Sequence, residues 1–317
     1  MKLRILSTGV AVPENTVTND RLSEMIDTSD EWIATRTGIR SRHVATGENL
    51  TELGERASNI ALERAGMTPS DIDLVICSTA RGDFVFPSFA CCISEKLGLT
   101  CPAFDVNAAC SGFIYALDVA DGYISTGKAK NILLVCGEMM SRMVDWTDRS
   151  TCVLFGDGAA ACVITSGSAL KYLRVTADGN TRLLNMPAGS GNSPFAPRVE
   201  PGFMHMLGQE VFKFAVSSIV RETEEAFSAL SITAEDIDLF LLHQANKRII
   251  DMARSRLSQP EEKFPLNIGS YGNISSVSIP ILLDELLTAG KIKKGSRLLL
   301  SAFGAGMTTG TCVIVWE

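Results

Sequence analysis

Short apolar runs rich in β-branched residues alternate along the chain with stretches whose apolar positions recur at helical spacing. That alternation predicts an α/β fold whose sheets are covered on both faces. The runs place strands at 3–10, 74–78, 103–106, 132–136, 160–165, 239–242, 298–301 and 312–315. Capping residues bound the helices. Thr51 opens TELGERASNIALERAG and Gly66 closes it, while Thr28 and Ser29 precede DEWIATRT, which stops at Gly38.

The pattern also repeats. TPSDIDLVICSTA from Thr68 and TAEDIDLFLLHQA from Thr233 share Thr, Asp, Ile, Asp, Leu and Ala in register, and FGDGAAACVI from Phe155 is echoed by FGAGMTTGTCVI from Phe303. A single DIDL match is an ordinary helix-to-strand turn. Two matches in the same order predict a duplicated α/β unit, with halves 1–168 and 169–317 meeting in the small-residue stretch TSGSAL.

Composition narrows the function classes. The 317 residues carry a formal net charge of −7, with 46% hydrophobic and 21% charged positions, which is globular composition. The acidic balance argues against a nucleic-acid or membrane-surface partner. The opening MKLRILSTGVAVPEN is too short in apolar residues for a signal-peptide core, and no run approaches the ~20 apolar residues of a membrane span. Nine scattered cysteines without a CxxC pair, together with three isolated histidines, supply neither a disulfide framework nor a zinc pattern. These features predict a cytoplasmic protein with no bound metal.

Three polar residues stand out as candidate chemistry. Cys110, in AFDVNAACSGFIYALDV, lies between a predicted strand and a buried helix, where a helix N-terminus lowers a thiol pKa and makes a nucleophile. A packing cysteine fits the same place. His243 follows four apolar residues in LFLLHQANKRI, so it arrives at the carboxyl end of a strand, where α/β folds bind ligands; a histidine satisfied by backbone is the alternative. Asn273 sits in the turn GSYGNISSVSIP. His43 follows a basic run and reads as surface, and His205 reads as loop. The glycines of SAFGAGMTTG lack the Lys-Ser/Thr of a phosphate loop.

NAACSGF, HQANKRI and YGNISSVS occur in this order with FPS at Phe86, TDRSTCVLFGDGA at Thr147 and SDEWIATRTGIRSRH near the front. Together they make the chain resemble the β-ketoacyl-acyl carrier protein synthase III family over essentially its whole length. The resemblance implies a thiolase-like duplicated fold, five-layered αβαβα with two mixed five-stranded sheets, and a homodimer. It implies that Cys110 takes an acyl group from a short acyl-CoA, most simply acetyl-CoA, and that malonyl-ACP then loses CO₂ and attacks the acyl-cysteine to give 3-ketoacyl-ACP. This would initiate fatty-acid synthesis.

By the same resemblance His243 and Asn273 stabilise the enolate, and the backbone N–H groups of Cys110 and Ala305 hold the oxyanion. Thr28, Trp32, Arg36, Arg149 and Asn246 would bind CoA, which enters as substrate, with no permanently bound cofactor. Gln244, Ala245, Asn246, Lys247 and Arg248 would receive the acidic carrier protein on a basic segment, and Phe86 would reach the partner subunit's acyl pocket. A biosynthetic thiolase needs a second catalytic cysteine in its C-terminal half. Here that half holds only Cys312, in an apolar strand, so a decarboxylative mechanism is expected. The segments ARGDFVFPS, GAGMTTG and LLNMPAGSGNSPFAPRVEPGF depart from the family's usual pattern and bear on primer length and branching. A secondary-metabolism relative that handles another acyl group is the alternative. A non-catalytic acyl- or carrier-binding paralogue is a third reading, against which the intact Cys110, His243 and Asn273 count.

Overall fold

The computed structural model describes residues 2–317. Two sheets are built on one plan. In the first, β1 (Lys2–Ala11), β2 (Leu74–Ser78), β3 (Ala103–Val106), β4 (Asn131–Met139) and β5 (Asp157–Gly167) lie in the order β1-β5-β4-β2-β3. In the second, β6 (Leu170–Asn180), β7 (Leu239–Leu242), β8 (Arg297–Gly304) and β9 (Gly306–Val315) lie in the order β6-β9-β8-β7. Each sheet has two antiparallel pairings followed by parallel ones, so β6, β9, β8 and β7 are the counterparts of β1, β5, β4 and β2.

Side-chain alternation assigns the layers. On β4, Ile132, Leu134 and Cys136 face the molecular centre, while Leu133 and Val135 face outward. Helices α2 (Leu50–Ala65) and α3 (Phe89–Leu97) cover that outer face. Between the sheets lie α4 (Gly112–Ser125) and α7 (Ser278–Thr288), while α5 (Gly208–Leu230) and α6 (Lys247–Arg256) cover the far side of the second sheet. The order is helix, sheet, helix, sheet, helix. Burying each central Leu, Ile or Phe contributes about 1.5–3 kcal/mol, and Phe113, Ile114, Leu117 and Leu283 are fully buried. Asp121, the buried one of the two acids on α4, receives Lys2 Nζ at 3.0 Å and Leu3 N at 2.9 Å and thereby ties the helix to β1.

The repeated DIDL segments fold alike. Thr68 with Asp71, and Thr233 with Asp236, form the same capping box around a short 3₁₀ turn. Beyond each turn, Asp73 accepts from Asn131 N at 3.0 Å and Asp238 accepts from Arg297 N at 2.7 Å, fixing the start of the neighbouring strand. The turns that lead into the two central helices match as well. Ala109 opens the turn Ala109–Ser111 at φ 47°, and Ser275 opens Ser275–Val277 at φ 46°. Two residues before each stands an asparagine whose Oδ1 accepts that residue's amide, Asn107 at 3.3 Å and Asn273 at 2.8 Å.

The structure corrects the expected strands in three ways. The second sheet has four strands rather than five: the segment matching β3, Phe264 to Asn267, is not a strand, because Pro265 has no N–H for a ladder and Phe264 turns at ψ 75°. Residues 170–180 form a strand that the apolar pattern did not mark, because its half-exposed positions break the run. Strands β4, β5, β8 and β9 extend past their apolar segments, and the extension of β8 carries Phe303 and Gly304 to the cavity described below. Neither histidine outside the site matches its expected setting: half-buried His43 contacts Pro13 O at 2.7 Å and stacks against Tyr271, and His205 pairs in a short strand with Asn185. No helix among the described residues is long and apolar enough to cross a membrane.

Candidate active site

Strand and helix ends from both halves open onto one cavity of about 660 Å³. Cys110 reaches it from the turn before α4, His243 from the end of β7, and Asn273 from the loop before α7. The three residues singled out in the sequence therefore converge. Ala305 and Gly304 line the same wall from the β8–β9 hairpin, whose sharp reversal places Gly306 at φ 78° and Met307 at φ 50°.

Backbone anchoring holds each group. His243 N donates to Ser301 O at 2.9 Å, and Phe303 meets the imidazole edge-on with centroids 5.3 Å apart. Both ring nitrogens are buried without a hydrogen-bond partner among the described residues, so they are free for a ligand. Burial pushes the imidazole down to about 3, which makes it neutral. Asn273 N donates to Leu154 O at 2.8 Å and its carbonyl accepts Gly156 N at 3.1 Å. With Oδ1 held by the Ser275 amide, its side-chain NH₂ is the group left for a ligand.

Cys110 departs from the expected electrostatics. Its thiol is pushed up to about 12 because desolvation outweighs the opposing Ser275 side chain. Part of Cys110 faces the cavity, yet protein encloses the sulfur at longer range. Moreover, α4 starts two residues later, at Gly112, so the sulfur stands outside the helix's first turn.

Gly304 sets how closely the hairpin approaches this sulfur. A Cβ there would stand 2.8 Å from Cys110 N and 3.1 Å from Ser111 N, so only glycine leaves the Cys110 amide open. Five methionines (Met140, Met143, Met186, Met204 and Met206) line the cavity with Phe155 and Phe212. Their clustering is a product of the fold, and nothing in their spacing along the chain announces it.

The outlying candidates divide. Trp32, on α1 (Asp30–Thr37), has the guanidinium groups of Arg36 and Arg149 over its ring, 4.7 Å and 5.3 Å from the centroid, and Thr28 Oγ1 is buried without a partner among the described residues. Trp32 packs against the cluster containing Met140, Met143 and Phe155, next to the cavity wall, which itself includes Ala245 and Asn246. Gln244 is not a docking residue: it is buried, donates to Leu242 O at 2.9 Å and accepts Asn267 N at 3.3 Å. Lys247 is held by Asp251 at 2.7 Å, whereas Arg248 is exposed beside Phe212. Phe86 is 85% exposed next to Val85 at 99% and Phe84, and Val85 also touches the cavity. Cys312 is buried in the central layer, away from the site, and no group of three or more metal-ligating side chains exists among the described residues.

Two family models match this chain: 3-oxoacyl-[acyl-carrier-protein] synthase III over residues 104–186, and the C-terminal region of the same family over residues 227–316. A beta-ketoacyl-[acyl-carrier-protein] synthase III of Natranaerobius thermophilus is 44% identical, across 99% of this chain and 99% of that protein. The crystal structure of 3-oxoacyl-[acyl-carrier-protein] synthase III from Aquifex aeolicus superposes with a TM-score of 0.92 at 42% identity, covering 99% of this chain and 100% of that one. The priming beta-ketosynthase of the R1128 polyketide pathway superposes equally well, TM-score 0.92, at 34% identity over 100% of this chain and 96% of its own.

Proposed function

We propose roles for the residues of this site from the premise that the chain belongs to the 3-oxoacyl-[acyl-carrier-protein] synthase III family. The protein is an acyltransferase that initiates fatty-acid synthesis by decarboxylative condensation of an acyl primer with a carrier-bound malonyl group. Convergence of Cys110, His243 and Asn273 from the two halves, 1–168 and 169–317, onto one cavity carries the assignment of their roles.

Cys110 Sγ adds to the acyl-CoA carbonyl and CoA leaves, which divides one condensation into two displacements. When malonyl-ACP loses CO₂, the electrons of the broken C–C bond pass into the thioester, and its oxygen gains charge. A neutral imidazole N–H and the Asn273 NH₂ are donors for that oxygen. The enolate carbon then attacks the acyl-cysteine, and the amides of Cys110 and Ala305 receive the tetrahedral oxyanion.

Gly304→Ala should therefore cut kcat for condensation roughly tenfold to a hundredfold while changing KM for acyl-CoA little, because the new methyl is driven into the Cys110 amide. Steady-state kinetics separate the two parameters; unchanged kcat would remove this amide from the mechanism.

Trp32 with Arg36 and Arg149, together with Thr28, forms the CoA mouth, with Asn246 on the inner wall. The exposed edge of α6 at Arg248, without Gln244, receives the acidic carrier protein. The apolar tongue Phe84–Val85–Phe86 would be an exposed liability in a monomer, and it becomes buried in a homodimer. Nine free cysteines accord with action in the cytoplasm. Flexible, polarisable methionine lets the acyl pocket take primers of more than one shape. A panel of acyl-CoA primers followed by malonyl-ACP, read by mass spectrometry of the Cys110 peptide and of the product, tests the reading. The expected result is acyl transfer to Cys110 and a ketoacyl product two carbons longer than the primer; acylated Cys110 without condensation would mark an acyl-binding paralogue.

A further inference from the structure

The missing fifth strand of the second sheet leaves Asn273 without the anchorage its counterpart has. In the first half Asn107 follows directly on β3, and the pairing of Val106 with Ser78 on β2 sets its place. Asn273 instead follows the helical turn Ile268–Tyr271, with Gly272 at φ 67°. Its backbone is held from the other half of the molecule. Asn273 N donates to Leu154 O at 2.8 Å, Gly156 N donates to Asn273 O at 3.1 Å, and Phe155 between them forms an isolated bridge with Asn273. Whatever fixes residues 154–156 therefore fixes Asn273.

That segment leaves a turn and enters β5 only at Asp157, so its hold comes from elsewhere. Arg42, fully buried on the short strand Ser41–His43, supplies it. Its Nη2 donates to Val153 O at 2.7 Å and to Asn19 Oδ1 at 2.9 Å, and its Nη1 donates to Val17 O at 3.0 Å. No carboxylate pairs with this guanidinium among the described residues. Burial lowers its pKa to about 10, which still leaves it charged at neutral pH. A buried cation resting on carbonyls and one amide is costly, and an apolar side chain would fill the same space without that cost.

The arginine is also wedged between the two segments that meet at Asn273. A Cβ on Gly156 or on Gly272 would stand 3.3 Å from Arg42 Cβ. Its neighbours grip the turn before Asn273, with Arg40 N donating to Gly269 O at 2.9 Å and Ser41 Oγ to Ser270 O at 3.2 Å. On the far side, Asn19 Nδ2 donates to Asp30 Oδ1 at 2.9 Å, and Asp30 opens α1, which carries Trp32 and Arg36. One side chain thus stands between the helix of the CoA mouth and the anchor of Asn273.

We propose that Arg42 is the positioning residue of Asn273: by holding Val153 O it sets residues 154–156, and through them the direction in which the Asn273 NH₂ enters the cavity; this rests on Asn273 acting in the malonyl half-reaction. Arg42 does not itself line the cavity. Its loss shifts the donor and leaves Cys110 on its own turn, so the two half-reactions should separate.

The test is a double-mutant cycle in the full-length protein between Arg42→Lys and Asn273→Ala, with Cys110 acylation by acetyl-CoA and malonyl-ACP decarboxylation on the acylated enzyme measured separately. Arg42→Lys keeps the charge and gives up the planar fork that reaches Val17, Asn19 and Val153 together. It should slow decarboxylation at least about tenfold and acylation by no more than about twofold, and in the Asn273→Ala background it should slow decarboxylation no further. A generally loosened protein would lose both half-reactions together and add its loss to that of Asn273→Ala. Arg42→Met, which removes the charge as well, should show the same split; if it does not fold, Arg42→Lys decides alone. No loss in Arg42→Lys, equal losses in the two half-reactions, or additive losses in the cycle overturn the positioning role while leaving Asn273 as a donor. Unchanged decarboxylation in Asn273→Ala alone overturns the reading of Asn273 instead.

Discussion

Cys110→Ser should fold normally and form no acyl-enzyme, lowering the condensation rate by about a thousandfold or more, or ~4 kcal/mol of barrier. The thiol of Cys110 is already raised to about 12 by burial, so this site ionises its nucleophile with difficulty even when it is sulfur. A serine hydroxyl in the same enclosed position starts from a far weaker acid, and it makes a worse leaving group when the enolate attacks. Both displacements therefore fail. The mutation removes one atom's identity and almost no volume, so the loss of activity should come without a matching fall in thermal stability. Intact-protein mass spectrometry after exposure to acyl-CoA gives the answer directly, and an adduct persisting on another residue would sink the assignment of Cys110.

His243→Ala should separate the two half-reactions. Malonyl decarboxylation on the acylated enzyme should fall about 10²–10³-fold, the usual cost of removing one preorganised donor, while acylation of Cys110 stays within about tenfold. The reason is that both imidazole nitrogens are buried and unpartnered and the ring is neutral, which suits hydrogen-bond donation to a developing oxyanion. Equal losses in both half-reactions would make His243 the base for the thiol. The same burial has a pH signature. Between its ordinary value of 6.5 and about 3, an unfolded histidine takes up a proton that the folded His243 refuses, so this residue subtracts stability as pH falls below 6.5. His243→Ala should accordingly flatten the acid limb of the stability profile, measured by denaturant unfolding at a series of pH values.

What was legible in the sequence was the repeating architecture and the three polar residues at its strand and helix ends. The strands at 74–78, 103–106 and 239–242 match the structure because they are short, wholly apolar or nearly so, and bounded by turn residues. Residues 170–180 did not read as a strand because half of them face solvent on an edge. The resemblance put Gln244 at the start of a docking surface on a basic segment. Its burial comes from the loop at Asn267, 23 positions away in the chain, which no local pattern encodes. The Cys110 thiol was expected to be lowered by a helix end. Enclosure by both halves of the molecule reverses the sign, and that enclosure is a property of how the layers meet.

The paired turns at Ala109 and Ser275, with φ of 47° and 46°, carry one further consequence. In the second turn, the place that Cys110 holds in the first is taken by Ser276, whose hydroxyl is bound to Glu138. The two turns thus present equivalent positions in different states: the thiol of the first opens onto the cavity, and the hydroxyl of the second is fastened to a buried carboxyl.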